Sequence, residues 1–389
     1  MMRYKLGEIF NLQMGKTPDR HSPKFWNEGT EPWISIADLT KCNKYIENTT
    51  EKITATAVDE SGIKIIPKNT VIMSFKLSIG KVAITPKEMY SNEAIMSFID
   101  KGVLKIEPVY LYYLLMHKDW DTGTNKAVMG KTLNKATLSQ MTVNIHGYSE
   151  QIEIIKALDA ASSIIAARKQ QLTELDNLIK ARFVEMFGDS EFNTMQWPTK
   201  KLSELCYVSS SKRIYQNEQS TEGVPFLRIS DLNERIDNVK NAPELFIPMN
   251  KYNELKENGL VPAGGDILVT SRGTLGRCYI VRPEDEFYFQ DGMISWLSDF
   301  SHQITSLYLS QLFTMSGIQK QIASLQAGST VAYLSISMLK KLDIMLPPLN
   351  LQNQFAVFIE QTDKSKAAVQ KALDETQLLF DSLMQKYFG

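Results

Sequence analysis

Two loops in this 389-residue chain carry residue types that hydrogen-bond or attract anions, and each loop occurs twice. The first is Ser74-Phe75-Lys76-Leu77-Ser78-Ile79-Gly80-Lys81, matched by Thr270-Ser271-Arg272-Gly273-Thr274-Leu275-Gly276-Arg277. In both, a cation and hydroxyls flank a glycine-containing turn, a combination that suits phosphate oxygens and base edges. It equally suits a solvated hairpin whose Lys and Arg point into water. The second is Gly130-Lys131-Thr132-Leu133-Asn134-Lys135, matched by Gly328-Ser329-Thr330-Val331-Ala332-Tyr333. Lys, Asn and Tyr on such a loop fit a nucleic-acid contact and a plain connection alike. The candidate contacts are Ser74, Lys76, Ser78, Lys81, Lys131, Asn134, Lys135, Ser271, Arg272, Thr274, Arg277, Ser329 and Tyr333. Arg20, His21 and Lys24, and the pair Lys212-Arg213, are basic spots specific to one copy.

Self-contained catalysis finds no support. Neither GxxxxGK[ST] nor GxGxxG occurs, and no HExxH, GxSxG or [DNS]PP[YF] tetrapeptide is present. His21, His117, His146 and His302 are scattered, none at matching places in the two copies. Cys42, Cys206 and Cys278 are far apart, which excludes a zinc cage and a disulfide framework and fits a reducing compartment. Pro283-Glu284-Asp285-Glu286 reads as a solvated turn rather than a nuclease cluster. With 43 Lys and Arg against 44 Asp and Glu, the net charge of -1 rules out a uniformly basic coat for nucleic acid but leaves room for local patches. No apolar run of membrane-spanning length occurs, and Met1-Met2-Arg3-Tyr4 opens no leader, so a cytoplasmic protein is expected.

The elements that must carry the loops come in duplicate. Leu6-Gly7-Glu8-Ile9 recurs as Leu202-Ser203-Glu204-Leu205, and Pro32 to Leu39 recurs as Pro225 to Leu232. Val71 to Lys76 recurs as Ile267 to Arg272, and Ser149 to Phe187 recurs as Asn350 to Phe388 at a constant offset of 201. Matched segments that keep one order from end to end make the chain a tandem duplication. The first part of each copy is rich in β-branched and aromatic runs broken by Gly, Pro and Asn. Short strands are expected at Ile63–Pro67, Thr70–Ser74 and Lys81–Ile84, with core positions for Trp33 and Phe226; Tyr110–Leu115 and its partner Leu307–Phe313 read as a buried helix, although their periodicity alone fits a strand as well. Each copy then ends in a stretch without Pro or Gly, with Ser149 and Asn350 as candidate N-caps. Apolar residues recur there at helical spacing: Ile155, Leu158, Ala161, Ile165, Leu172, Leu175 and Ile179, then Phe355, Phe358, Ile359, Val369, Leu373, Phe380 and Leu383. Residues 151–187 alone make a rod of roughly 55 Å, which needs a partner for its apolar stripe. The other copy supplies one. The expectation is an α+β protein of two tandem mixed α/β domains, 1–148 and 189–349, separated by helices at 149–188 and 350–389 that pack as an antiparallel coiled coil with pseudo-two-fold symmetry. Arg168 and Lys169 at imperfect positions make it a short helix pair rather than a leucine zipper.

Leu6-Gly7-Glu8-Ile9, Met14-Gly15-Lys16-Thr17-Pro18, Ser78 to Ile84, Gly273-Thr274-Leu275-Gly276-Arg277 and Leu346-Pro347-Pro348-Leu349-Asn350-Leu351-Gln352, in this order with the duplicated helices, resemble the specificity subunits of type I restriction–modification systems. His146-Gly147-Tyr148 replaces the proline-rich lead-in to the helix in the first copy. The resemblance implies a non-catalytic DNA-reading subunit whose two target recognition domains each read half of a bipartite, asymmetric site in double-stranded DNA, with the helices as spacer. It implies two modification (methyltransferase) subunits carrying S-adenosylmethionine and the adenine methylation chemistry. Restriction subunits would add ATP- and Mg-dependent translocation and cleavage, leaving no cofactor in this chain and no role for a membrane. The competing readings are an orphan or anti-restriction S-type protein and a coiled-coil adaptor that binds modification subunits without a DNA target of its own.

Overall fold

The computed structural model describes residues 1–76, 78–120, 125–127, 130–239, 241–326 and 332–389, with backbone only at 125–127 and 130–132. The chain divides into two units, Met1–Lys169 with Lys371–Gly389, and Gln170–Gln370. The first is built on a four-stranded antiparallel sheet in the order Phe10–Met14, Ile95–Asp100, Val71–Ser74, Val82–Ile84. Strand periodicity divides its side chains between two layers. Val71 and Met73 enter a core with the helix Pro108–His117, whereas Ile72 faces a second core with Ile34, Leu39 and Ala83. A three-stranded sheet, Glu51–Ile53, Glu31–Ile34 and Tyr90–Ser91, lies beside it, and a ribbon pairs Met2–Lys5 with Thr142–Ile145.

The second unit repeats this topology strand for strand. Its four-stranded sheet runs Tyr207–Ser209, Ile294–Ser298, Ile267–Thr270, Cys278–Ile280. Its three-stranded sheet is Phe246–Ile247, Val224–Leu227 and Tyr288–Phe289, and its ribbon pairs Thr199–Lys201 with Asp343–Met345. Ile267 and Val269 face one core and Leu268 the other, as in the first unit. Trp33 and Phe226 are buried where core positions were expected, and the helix Ser306–Phe313 matches Pro108–His117. Ile63–Pro67 is not a strand. Pro67 has no N–H to give a ladder, and the segment makes one isolated bridge, Ile66 to Met89.

Two helices of 40 residues, Tyr148–Phe187 and Leu349–Phe388, are each about 60 Å long and pack together. In the first unit Ile154 and Leu158 of one share a core with Met384 of the other, and the Tyr113 ring lies 6.1 Å from that of Phe380. In the second, Phe183 and Phe187 meet Phe355 edge-on at 5.5 and 5.3 Å, and Tyr308 stacks on Phe183. The start of one helix thus meets the end of the other in each unit, which makes the pair antiparallel. Toward the middle the stripe thins, and Ile165, Leu172 and Leu175 are only half-buried.

Neither expected cap holds. The helices open one residue earlier, placing Ser149 and Asn350 inside the first turn. Ahead of the first helix the Glu150 carboxylate accepts the Gly147 N–H instead. The decisive polar group in the first turn of both helices is a buried glutamine that sequence reasoning passed over. Gln151 accepts the Glu107 N–H and donates to the carbonyls of Lys105 and His146. Gln352 accepts the Thr305 N–H and donates to those of Gln303 and Pro347. Each amide fastens a long helix to the segment leading into its unit's core helix.

Replacing Gln352 by Leu keeps the volume but strands an N–H and two carbonyls. Urea denaturation is expected to show a loss on the order of 2 kcal/mol or more. An unchanged midpoint would contradict the clamp.

Candidate nucleic-acid interface

The first candidate loop is closed by a hydroxyl in the same way in both units. Ser74 donates to the Ser78 carbonyl and accepts the Lys81 N–H. Thr270 donates to the Thr274 carbonyl at 2.5 Å and accepts the Arg277 N–H at 3.0 Å. Both side chains are fully buried, at the end of strands that are covered on both faces. Gly80 and Gly276 complete the turns at φ +88° and +74°, where a Cβ would press on Trp120 and Ile322. Ser271 is also buried, its hydroxyl paired with that of Ser295.

The closing cations are committed as well. Lys81 Nζ donates to Thr40 Oγ1 at 2.6 Å, on the helix Ile36–Lys41. Arg277 donates to Asn233 and pairs with Asp237, at the end of the matching helix Ile229–Ile236. A cation suits the carbonyl end of a helix. These side chains tie the loop to its neighbour.

The second candidate loop folds onto the first. The Leu133 N–H donates to the Phe75 carbonyl and the Leu334 N–H to the Ser271 carbonyl, each at 3.0 Å. Equivalent bonds place Leu133 against Leu334, an offset of 201 that also holds at the helix caps Asn134 and Ser335. The expected pairing of Lys135 with Tyr333 is therefore displaced by three residues. Asn134 is committed as an N-cap, accepting the Thr137 N–H, and Lys135 is exposed at the first helical position. Tyr333 instead forms an antiparallel bridge with Arg272 and holds its ring under that guanidinium, 5.4 Å away. The Lys131 side chain and Ser329 lie outside the described residues.

What remains without a tie to the neighbouring helix is exposed Ser78 and Lys135 with half-buried Lys76 in the first unit, and exposed Arg272 and Thr274 with half-buried Tyr333 in the second. Lys76 lies over the buried Phe75 ring at 5.3 Å. Glu93, missed from the sequence, is close to Lys76. Burial works against its ionisation, but the Thr17 hydrogen bond together with the Lys76 and Arg20 charges outweighs that and holds its carboxyl below the ordinary value. The copy-specific basic spots are largely neutralised: Arg20 pairs with Glu51 and packs on Trp26 and Trp33, Lys24 pairs with Glu60, and Arg213 with Asp291. Asp285 does not sit in a merely solvated turn, since it pairs with Arg235 and accepts from Tyr279 and the Arg282 N–H. Among the described residues no group of His, Cys, Asp and Glu has the arrangement of a metal site, and no helix is long and apolar enough to cross a membrane.

Hydroxyls and cations thus stand at matching loops of the two units, with an aromatic beside them in the second alone. The family model for the type I restriction modification DNA specificity domain matches residues 1–177 and again 195–376. The chain belongs to this family and is a DNA-specificity subunit, which selects a sequence and leaves chemistry and cofactors to other subunits. It is 24% identical over 98% of its length to the MjaIX specificity subunit of Methanocaldococcus jannaschii, covering 91% of that protein. A putative specificity subunit of Haemophilus influenzae is 26% identical over 70% of this chain and 68% of its own length. The fold matches that of the S subunit from M. genitalium with a TM-score of 0.54 at 15% identity, covering 100% of this chain and 96% of that one. A chain from a structure describing complex assembly and conformational transition of the type I R-M system matches with a TM-score of 0.59 at 14% identity, covering 100% and 97%.

Arg277→Ala is expected to lower stability by up to about 1 kcal/mol, the scale of a surface ion pair. It should leave the salt dependence of DNA binding by the assembled complex unchanged. A slope smaller by about one unit would instead make Arg277 a phosphate contact.

Proposed function

We propose that this chain reads a bipartite, non-palindromic site in double-stranded DNA, one half through each α/β unit. Lys76, Ser78 and Lys135 would contact one half, and Arg272, Thr274 and Tyr333 the other. The observation that carries the reading is duplication of the scaffold with divergence of what it presents. Both units keep the buried hydroxyl, the glycine turn and the tie to the neighbouring helix, but Lys76-Leu77-Ser78 stands where the other has Arg272-Gly273-Thr274. Units of one fold that show different side chains suit two different half-sites.

The domain division proposed is 1–148 and 189–349 for reading, with 149–188 and 350–389 as the spacer that sets the gap between half-sites. Two modification subunits would bind the chain and supply S-adenosylmethionine and adenine methylation, and restriction subunits would add ATP-driven cleavage. The long helices keep apolar side chains in the open, among them Ile164, Leu178, Val184, Val357, Leu378 and Leu379. Apolar residues exposed along a helix pair are a surface for further helices.

The test is methylation mapping in a host that expresses this chain with its modification subunit. Methylated adenines should fall in a two-part asymmetric motif that vanishes when either protein is omitted, and the purified chain alone should methylate nothing. A palindromic motif, or one that persists without this chain, would overturn the proposal.

A further inference from the structure

We propose that Arg272, held on the ring of Tyr333, reads a guanine in one half-site by donating to its O6 and N7. This rests on the DNA-reading role proposed above for the same loops. The backbone leading into Arg272 is held in place. The Ser271 N–H donates to the Met293 carbonyl, the Ser271 carbonyl accepts from Leu334, and Arg272 itself bridges Tyr333. Gly273 follows at φ +69° with nothing within 4 Å of a Cβ position, so the turn is open just where the side chain leaves it.

The guanidinium has an aromatic ring beside it and no carboxylate partner among the described residues. Arg213, Arg228, Arg235 and Arg277 of the same unit each pair with a carboxylate. Among the described residues none pairs with Arg272, which is exposed and has only the Tyr333 face beneath it. A guanidinium resting on a ring keeps its N–H donors at its edge, in a planar fork. Guanine offers two adjacent acceptors in the major groove that match this fork, whereas adenine sets a donor beside its N7. Holding the side chain in place beforehand reduces the ordering cost of contact. The counterpart Lys76 is a single ammonium over Phe75 and has no such fork, so the other half-site carries no matching requirement.

A phosphate is the other partner a guanidinium fork accepts, and the experiment separates the two. The assembled complex is titrated with its mapped site in which each guanine in turn is replaced by 7-deazaguanine, which lacks the N7 acceptor. Wild type should lose about ten- to a hundredfold in affinity at one position. Arg272→Ala should lose a similar factor on the natural site and nothing further at that position. Arg272→Lys should keep the salt slope and lose the base preference, and Tyr333→Phe should retain the preference that Tyr333→Ala weakens. Arg272 is exposed, so thermal melts of its variants should match wild type.

Uniform weakening by Arg272→Ala at every base, with the salt slope lower by about one unit, would make it a phosphate contact and overturn the guanine assignment alone. So would wild-type binding that is indifferent to 7-deazaguanine at every position. Wild-type binding and site preference in the combined Arg272→Ala, Thr274→Ala, Tyr333→Ala variant would overturn the DNA-reading role of the surface itself.

Discussion

A helix of 40 residues with one apolar stripe cannot stand alone in water, and the rest of the structure follows from how the two long helices bury theirs. Each contributes one end to each unit. Ile154 and Leu158 complete the first unit's core together with Met384 from the far end of the chain, and Phe183 and Phe187 complete the second together with Phe355 and Ile359. A fully buried Phe contributes about 1.5–3 kcal/mol, so the Phe183, Phe187, Phe355 and Tyr308 cluster is a large share of the few kcal/mol by which a domain is stable. Neither globular unit is complete on the stretch of sequence that contains its sheets. Gln151 and Gln352 add direction to that packing, since a buried amide with three partners tolerates little rotation.

The same division between what holds and what is shown recurs at the loops. Ser74 and Thr270 differ by a methyl group and make the same two hydrogen bonds. Lys81 and Arg277 differ more and still reach the same helix. Two residues beyond each hydroxyl Lys76 stands against Arg272, and four beyond it Ser78 stands against Thr274. A scaffold of this kind can change its outward residues with little effect on its stability, since surface substitutions away from such contacts usually matter little. That is the property a family of sequence readers requires.

Much of this was legible in the residues. Duplication was readable because both copies share one chain and their motifs keep order. The helices were readable because 40 residues without Pro or Gly leave few alternatives. Which loop residues face outward was not, since Ser74, Ser78 and Ser271 share a chemistry, and only the place where the strand ends, at Ser74, leaves Ser74 buried and Ser78 out on the turn. Tyr333 does not correspond to Lys135 because the second copy carries three more residues between Gly328 and Leu334 than the first carries between Gly130 and Leu133. The glutamines at 151 and 352 do carry a signal in the residues, since they keep the offset of the helices while their immediate neighbours differ between the copies.

The spacer role proposed for the paired helices is tested most directly by lengthening both together. Seven residues of helical sequence inserted after Ala167 and after Gln370 would lengthen both helices together by about 10 Å while nearly restoring the facing of each end. Methylation mapping of a strain carrying that chain and its modification subunit should return both half-sites unchanged, with the unread gap longer by about three base pairs. Retained methylation at the original gap would show that the helices do not set the spacing.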